Sequence, residues 1–372
     1  MDKRIDGLRA WVRRENERPL VGFFIDSQYP LHRYRCIDKL PAGEVHADGI
    51  RVSDFLPEFE RLYQTYEAYG GDLIWSSAPF WGIPWIEASL GCHVLADHRA
   101  GSTRSLPPDG FLDNPEIPDF NPDNPWVKKM IEFIPSLHAM SGGRFPVGMT
   151  LLRGISDLLS ALYGGERFIV RMLEAPEEVK AVIRQLEQYW ISFGKHLLDQ
   201  LPGFHGGTGS FFYAVWTPGK TIWFQEDAAA LLSPGLYEEF IFPSVKEIIE
   251  AFDRSVIHLH PSRFIPAGHL LETDIDAIEL HRDIGGPTAK DLHGTHHMIL
   301  EKKPLIIWGD LTGEDLDVIL SELPAKGLLV IPVVKDKVEA KKIWDRFKTD
   351  NCIEFSPGPR PRWPASRNTL PL

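Results

Sequence analysis

Four short apolar segments toward the carboxyl terminus decide the fold: SVIHLH at residues 255–260, DAIELH at 276–281, PLIIWGDL at 304–311 and GLLVIP at 327–332. Each segment has the length of a buried strand, and each is followed by a helical pattern. Strands that alternate with helices through short connections are typical of a parallel sheet. The sequence therefore predicts an α/β protein.

The same alternation continues toward the amino terminus. A first helix is predicted from Arg4 to about Asn16, with strands at 20–26, 72–79, 144–150 and 209–215. About eight strands in 372 residues favour a closed (β/α)8 TIM barrel. The first strand is not followed by the GxGxxG motif of a dinucleotide-binding sheet. We expect a single domain with an N-terminal extension and long loops. Its parts are an N-terminal segment at 1–54, a barrel core at about 55–350 and an extended tail at 351–372.

Composition limits the functions to consider. The hydrophobic fraction of 43% and the charged fraction of 25% are typical of a folded protein. A formal net charge of −12 argues against a nucleic-acid partner, because polyanion binding relies on clustered lysine and arginine. The sequence has no apolar run of spanning length and no secretory leader, and its 3 cysteines are widely separated. We therefore expect a cytoplasmic protein without a membrane partner.

Two histidines give the clearest chemical signal. His258 and His260 are two residues apart on an apolar strand, so both side chains project from the same face. In a barrel the active site lies at the carboxyl ends of the strands, and two imidazoles there form half of a zinc site. The alternative to a zinc site is that the two histidines are structural and are held by hydrogen bonds. The candidates for a third ligand are Glu279, His281, Asp310 and Glu87.

Other residues near predicted strand ends are candidates for substrate binding. Asp227 follows Glu226, and together they would hold a cation or an amine, or cap a loop. Glu87 lies in the apolar segment WGIPWIEASLG, as a pocket acid or an exposed helix residue. The cluster His293, His296 and His297 is predicted to lie on the surface. Aromatic side chains would line a flat apolar pocket or fill the core. They are Trp81, Trp85, Tyr213, Trp216 and Trp223.

Several longer runs carry a resemblance to a known family. WFQEDAAALLSPGLYEEFIFPSVKEIIEAF at 223–252, then VIHLH, DAIEL and KKPLIIWGDL, are similar to the uroporphyrinogen decarboxylase superfamily. PVGMTLLRGISDLLSALYGGERFIVRMLEAPEEV at 146–179 resembles the middle of that family. PWIEASLGCHV places Glu87 in an E-A-x-x-G pattern found in its methyltransferase branch. The resemblance covers about residues 56–347 and implies a (β/α)8 barrel.

The superfamily contains two main activities. True uroporphyrinogen decarboxylases carry an N-terminal R-Q-A-G-R motif, which this chain lacks. The resemblance is therefore closer to the corrinoid-dependent methyltransferases. Their thiol-methylating members bind zinc through an H-x-C motif and a later cysteine. His258 matches the histidine of that motif and His260 stands where its cysteine would be, and no cysteine lies near 331–336.

These observations combine into one hypothesis. The protein would move a methyl group from a small O- or N-methylated compound to a corrinoid held by a partner protein, or in reverse. We expect zinc on His258, His260 and Glu279, and catalysis by His258, His260, Glu87 and Asp310. The residues predicted to bind substrate are Tyr213, Trp216, Trp223, Asp227 and His281. The alternatives are a cofactor-free decarboxylase of a carboxylate and a non-catalytic ligand-binding barrel.

Overall fold

The computed structural model of the 372-residue chain describes residues 3–25, 35–210 and 214–349. The strands are β1 (Leu20–Val21), β2 (Phe24–Ile25), β3 (Gly43–Val45), β4 (His93–Asp97), β5 (Ser102–Leu106), β6 (Leu152–Arg153), β7 (Gly207–Ser210), β8 (Val215–Pro218), β9 (Thr221–Gln225), β10 (Arg254–Leu259), β11 (Ala277–Arg282), β12 (Leu305–Gly309) and β13 (Leu328–Val334). The helices are α1 (Lys3–Val12), α2 (Leu56–Tyr69), α3 (Trp85–Ser89), α4 (Pro125–Ser141), α5 (Ile155–Tyr163), α6 (Arg167–Glu174), α7 (Pro176–Gln200), α8 (Pro234–Leu236), α9 (Phe242–Glu250), α10 (Ala267–Leu270), α11 (His293–Leu300), α12 (Gly313–Glu322) and α13 (Lys337–Thr349). None of these described helices is long and apolar enough to cross a membrane.

The central sheet is parallel, as the alternation of strands and helices predicted. Its strands follow the order β1-β13-β12-β11-β10-β9-β6, and β2 also pairs with β13. Helices flank the sheet, so the expected α/β class is confirmed. The register places Arg153, Gln225, His258 and Glu279 side by side on four neighbouring strands. Residues paired in this way project from the same face of a sheet. This row of side chains brings the candidate site together.

Weaker contacts continue from both edges of this sheet. Met149 forms a parallel bridge with Ser210, and Ser77 forms one with Val147. The amide of Asp72 donates a hydrogen bond of 2.8 Å to the carbonyl of Val21. The segments at 72–79 and 144–150, which the sequence predicted as full strands, therefore contribute single bridges and isolated hydrogen bonds.

The first helix packs against β8 and β1, and its Trp11 reaches the residue that precedes β13. Ile5, Leu8 and Trp11 are buried, and Trp11 Nε1 donates a hydrogen bond of 2.8 Å to the carbonyl of Gly327. The helix ends at Val12, before the predicted Asn16. Arg14 has a left-handed φ of 57°, which interrupts the helix immediately after that point. The side-chain amide of Asn16 then donates to the carbonyls of Arg18 and Ala325.

Two antiparallel elements were not predicted. The strands β3, β4 and β5 form a separate three-stranded sheet, and β5 lies within a segment at 97–125 that is rich in proline, glycine, aspartate and asparagine. The strands β7 and β8 form a hairpin where a single strand at 209–215 was expected. Both differences arise because cross-strand pairing stabilises segments whose own apolar pattern is weak.

The helical region at 233–252 is interrupted next to Pro243. A π-helical segment at Tyr237–Ile241 separates α8 from α9, and Pro243 occupies the first turn of α9. Proline has no amide hydrogen, so it cannot make the backbone hydrogen bond of a helix interior. In the first turn of a new helix, Pro243 does not need this donor.

His296 lies in the core, although the sequence predicted a surface position for the cluster to which it belongs. Its side chain is 1% exposed, and neither ring nitrogen makes a hydrogen bond to any residue that the structure describes. Burial, together with the neighbouring His293 and His297, lowers the pKa of His296 to about 3. A histidine whose pKa is lowered in the folded state binds its proton more tightly when the chain unfolds. The free energy of unfolding therefore decreases as the pH is lowered.

We expect this effect to appear between pH 7 and pH 5. Stability linked to His296 is complete above the ordinary pKa of 6.5 and is lost as the pH falls toward about 3. At pH 5 the loss is about 2 kcal/mol, from 1.36 kcal/mol per pH unit. Urea unfolding at pH 7 and pH 5 measures the free energy of unfolding. In His296→Leu, the decrease in this free energy at pH 5 should be smaller than in the unchanged protein by about 2 kcal/mol. His297→Leu on the same helix should keep the full decrease, and an equal loss in all three proteins would contradict the assignment.

Candidate metal-binding site

The candidate site lies at the carboxyl ends of β9, β10 and β11. His258 is the penultimate position of β10, and His260 follows the strand directly, so the period of two places both rings on one side. Gln225 ends β9 and precedes Asp227 by two residues, while Glu279 and His281 lie on β11. Parallel pairing of these three strands brings their carboxyl ends to one edge of the sheet.

The two histidines point toward the same carboxylate oxygen. Asp227 Oδ1 lies 3.3 Å from His258 Nε2 and 3.8 Å from His260 Nε2. The other nitrogen of each ring contacts a carboxylate from β11 or its end. His258 Nδ1 is hydrogen-bonded to Glu279 Oε2, and His260 Nδ1 lies 2.7 Å from Asp283 Oδ2. Each ring is therefore fixed by a carboxylate at Nδ1 and presents Nε2 to Asp227.

A third histidine adjoins this group. His281 Nε2 lies 3.4 Å from Asp283 Oδ1, and the ring centroids of His260 and His281 are 4.6 Å apart. Two sets of three side chains bring one ligand atom each to within 4.8 Å of one another. They are Asp227 with His258 and His260, and His260 with His281 and Asp283.

The electrostatics of the site favour a cation. Burial opposes protonation of His258, but Glu279 and Asp227 together raise its pKa to about 10. Burial and the nearby His258 and His260 lower the pKa of His281 to about 2, so its imidazole is neutral. Burial raises the pKa of Glu279. Without a bound cation, the positive charge next to Asp227 and Glu279 is supplied by the proton on His258.

Two buried carboxyl oxygens at this edge lack a hydrogen-bond donor among the described residues. They are Glu279 Oε1 and Asp310 Oδ2. Asp310 follows β12 and is half-buried, and burial raises its pKa. Buried oxygen atoms without donors are costly unless a cation or water satisfies them, which fits a metal site.

A set of hydrogen bonds fixes Asp227 in place. Gln225 Nε2 donates to Asp227 Oδ2 at 2.6 Å, which leaves Oδ1 facing the histidines. Asp157, in the first turn of α5, accepts from the amides of Asp227 and Ala228 at 3.2 Å and 2.8 Å. Sequence reasoning missed Gln225, Asp157 and Asp283. The HRD sequence at 281–283 was the one available signal, since Asp283 has the same parity as His281.

The sequence offered Glu226 and Asp227 as a pair that would hold a cation or an amine, or would cap a loop. In the structure, Glu226 does not face the histidines beside Asp227. Its carboxylate accepts from the amides of Ile155 and Ser156 at 2.8 Å and 2.9 Å, and also from the hydroxyl of Ser156. It therefore lies against the amino terminus of α5. A side chain on Gly154 would collide with this carboxylate, which accounts for the glycine. Burial raises the pKa of Glu226 to about 7.

Glu87 lies apart from the histidines, in a small cavity. The side chain is 1% exposed, and its Oε1 accepts a hydrogen bond of 2.8 Å from Arg153 Nη1. The cavity has a volume of about 140 Å³. Its lining residues are Trp81, Gly82, Ile83, Pro84, Ile86, Glu87, Ser102, Thr103, Leu151 and Arg153.

The aromatic residues expected around substrate occupy other places. Trp216 is fully buried on β8, donates to the carbonyl of Phe204 at 2.8 Å, and has Arg9 of α1 over its ring. This position belongs to the packing of the first helix and does not fit a substrate-binding role. Trp223 is buried within β9, opposite Val256. Tyr213 lies outside the described residues. Of the named aromatics that the structure describes, Trp81 alone lines the cavity.

Comparisons with known proteins identify the fold. No protein-family model matches the chain, and no curated protein sequence matches it. A solved structure of a methyltransferase from Methanosarcina mazei superposes with a TM-score of 0.61 at 10% sequence identity. The match covers 93% of this chain and 98% of that one. The two proteins therefore share an α/β fold over most of their lengths. This similarity is compatible with the superfamily resemblance and does not distinguish its branches.

Proposed function

We propose that this protein is a metal-dependent methyltransferase whose single domain closes into a (β/α)8 barrel. The bridges at Met149 and Ser77 and the hydrogen bond from Asp72 support the closure, since they link β1 with the far edge of the sheet. The observation that carries the function is the convergence of two imidazole Nε2 atoms on Asp227 Oδ1. Each imidazole is backed by its own carboxylate.

The residues present fit a divalent cation. Two histidine nitrogens and one carboxylate oxygen are a common donor set for catalytic zinc, which would replace the proton on His258 and keep a further position open. Histidines that bind metal usually donate the other ring N–H to a carboxylate, and Glu279 and Asp283 occupy those positions. We therefore assign Asp227, His258 and His260 as ligands, and assign Glu279 to the ring of His258. The same donors also suit Fe(II), and metal analysis distinguishes the two ions.

The bound cation would supply a Lewis acid that polarises the heteroatom carrying the methyl group. The methyl group leaves without the electrons of its C–O or C–N bond, which remain on the heteroatom. The acceptor would be a reduced corrinoid carried by a partner protein, which would supply the electron pair of the new bond. Asp310, which shares this edge and whose pKa is raised, is suited to protonate the departing heteroatom. His281 and Trp308, whose ring centroids are 4.2 Å apart, pack beside the histidines.

Decarboxylation of a polycarboxylate fits the site less well. Such a substrate requires several arginine charges that are not already neutralised, whereas Arg153 is ion-paired with Glu87 at 2.8 Å and Arg282 with Asp315 at 3.5 Å. Asp227, Asp283 and Asp310 at the same edge would repel a polyanion.

The test is methyl transfer to free cob(I)alamin. Purified protein, cob(I)alamin and either a methyl ether or a methylamine are mixed without oxygen, and the visible spectrum is followed. The proposal predicts conversion of the cob(I)alamin spectrum to that of methylcob(III)alamin with one class of donor. Protein that holds stoichiometric metal yet transfers no methyl group from either class would contradict the function.

Removing the carboxylate behind His258 should weaken metal binding. Glu279→Gln keeps the size of the side chain but removes the negative charge beside Nδ1, so the ring becomes a poorer ligand. We expect metal affinity to fall by about 10- to 100-fold, the usual effect of losing such a partner. Competition with a chelating dye measures the change. Glu187→Gln, a carboxylate on α7, is the matched control, and equal affinity in both variants would contradict the role of Glu279.

A further inference from the structure

We propose that the cavity beside Glu87 and Arg153 binds the methylated substrate, and that this substrate is an uncharged methoxyphenol, a single aromatic ring that carries one methyl ether and one free hydroxyl group. This inference rests on the proposed function and adds the class of methyl donor.

The cavity has the size of a single aromatic ring. Its volume is about 140 Å³. A protein cavity of about 150 Å³ lined by aliphatic side chains takes up benzene. Here the indole of Trp81 and the side chains of Ile83, Ile86 and Leu151 provide apolar wall. A flat ring fits these contacts, and a corrinoid or a tetrapyrrole does not.

The polar end of the cavity is electrically balanced. Glu87 is 1% exposed and Arg153 is 34% exposed at its side chain, and they form one ion pair. A buried pair of this kind gives little net stability compared with apolar packing, so it suggests a role in recognition. A ligand with a net charge would leave one partner of the pair uncompensated. A hydroxyl group suits both partners, because the carboxylate accepts its proton and the guanidinium donates to its oxygen.

Arg153 connects the cavity to the metal-binding group. It is paired in register with Gln225, which is paired with His258, so Arg153 lies two strands away on the same face of the sheet. Neighbouring strands are about 4.8 Å apart, which gives a separation of about 10 Å between the backbones. The side chain of Arg153 is long enough to reach across much of this separation, and Asp227 acts electrostatically on its charge. A ring held against Trp81 would therefore direct its methoxy group past Arg153 toward Asp227.

Binding of small probes tests the cavity separately from catalysis. Calorimetric titration of the full-length protein uses phenol and 2-methoxyphenol as neutral probes, and benzoate and benzylammonium as charged ones. We expect the neutral probes to bind at least about tenfold more tightly than the charged ones. Ser102→Trp, on β5, adds bulk to the cavity wall and should weaken phenol binding by a similar factor. Leu106→Trp, an exposed position on the same strand that does not line the cavity, should leave it unchanged.

A change of charge provides a second, independent variant. Glu87→Gln keeps the shape of the side chain and leaves Arg153 as the unbalanced charge, so benzoate should now bind more tightly than phenol. Metal content is measured for every protein, which separates failure of the metal site from failure of the cavity. If Ser102→Trp retains metal and binds phenol like the unchanged protein, the substrate site is elsewhere. Preference of the unchanged protein for either charged probe would also overturn the assignment.

Discussion

Replacing His258 by alanine is expected to remove the bound metal. The substitution deletes one of three ligands and leaves Asp227 and Glu279 facing an empty space with no proton between them. Loss of a carboxylate behind a ligand weakens binding by about 10- to 100-fold, and loss of the ligand itself should exceed that range. Elemental analysis of protein purified without an affinity tag should find one ion per chain before the change and none after it. Methyl transfer should be lost in parallel.

The matched control is His297→Ala. His297 lies on α11 with its ring 4.5 Å from that of His293, so this pair is an alternative place for adventitious metal. We expect His297→Ala to retain the ion. Retention by His258→Ala together with loss by His297→Ala would show that the metal belongs to the surface pair and would contradict the site assigned above.

Replacing Trp11 by alanine should give the largest loss of stability. The indole is fully buried, and its Nε1 donates to the carbonyl of Gly327. Large-to-small changes of buried tryptophan destabilise by about 3–5 kcal/mol, because they remove apolar contacts and leave a cavity. Urea unfolding followed by circular dichroism measures the change in the free energy of unfolding.

Trp11→Phe separates the contributions of packing and hydrogen bonding. This variant fills most of the space but removes the donor, so we expect it to lose about 1–3 kcal/mol, the cost of leaving a buried carbonyl without its partner. If Trp11→Ala lost less stability than Trp11→Phe, the indole of Trp11 would not be buried and bonded to Gly327 in the manner described.

Elements with a strong local pattern could be predicted from the sequence. The strands β10 to β13 were located to within two residues, because each is a continuous apolar run whose burial is decided by its own composition. The common orientation of His258 and His260 follows from the two-residue period of a strand. The buried face of α1 can also be predicted from the sequence, because Ile5, Leu8 and Trp11 recur at helical spacing.

Features that depend on contacts between distant segments could not be predicted. Asp283 and Glu279 reach their histidines through the register of β10 against β11, which no local pattern specifies. Gln225 and Asp157 hold Asp227 through the meeting of β9 with α5. Aromatic residues are equally suited to a pocket and to a core, and packing placed Trp216 and Trp223 in the core.

Anomalous diffraction from crystals of the zinc-loaded protein tests the central claim most directly. Data collected on both sides of the zinc absorption edge locate the ion without reference to activity. The account predicts one peak at about 2.0–2.2 Å from His258 Nε2, His260 Nε2 and a carboxylate oxygen of Asp227. A peak at His293 and His297 alone, or no peak among the histidines at the ends of β10 and β11, would contradict it.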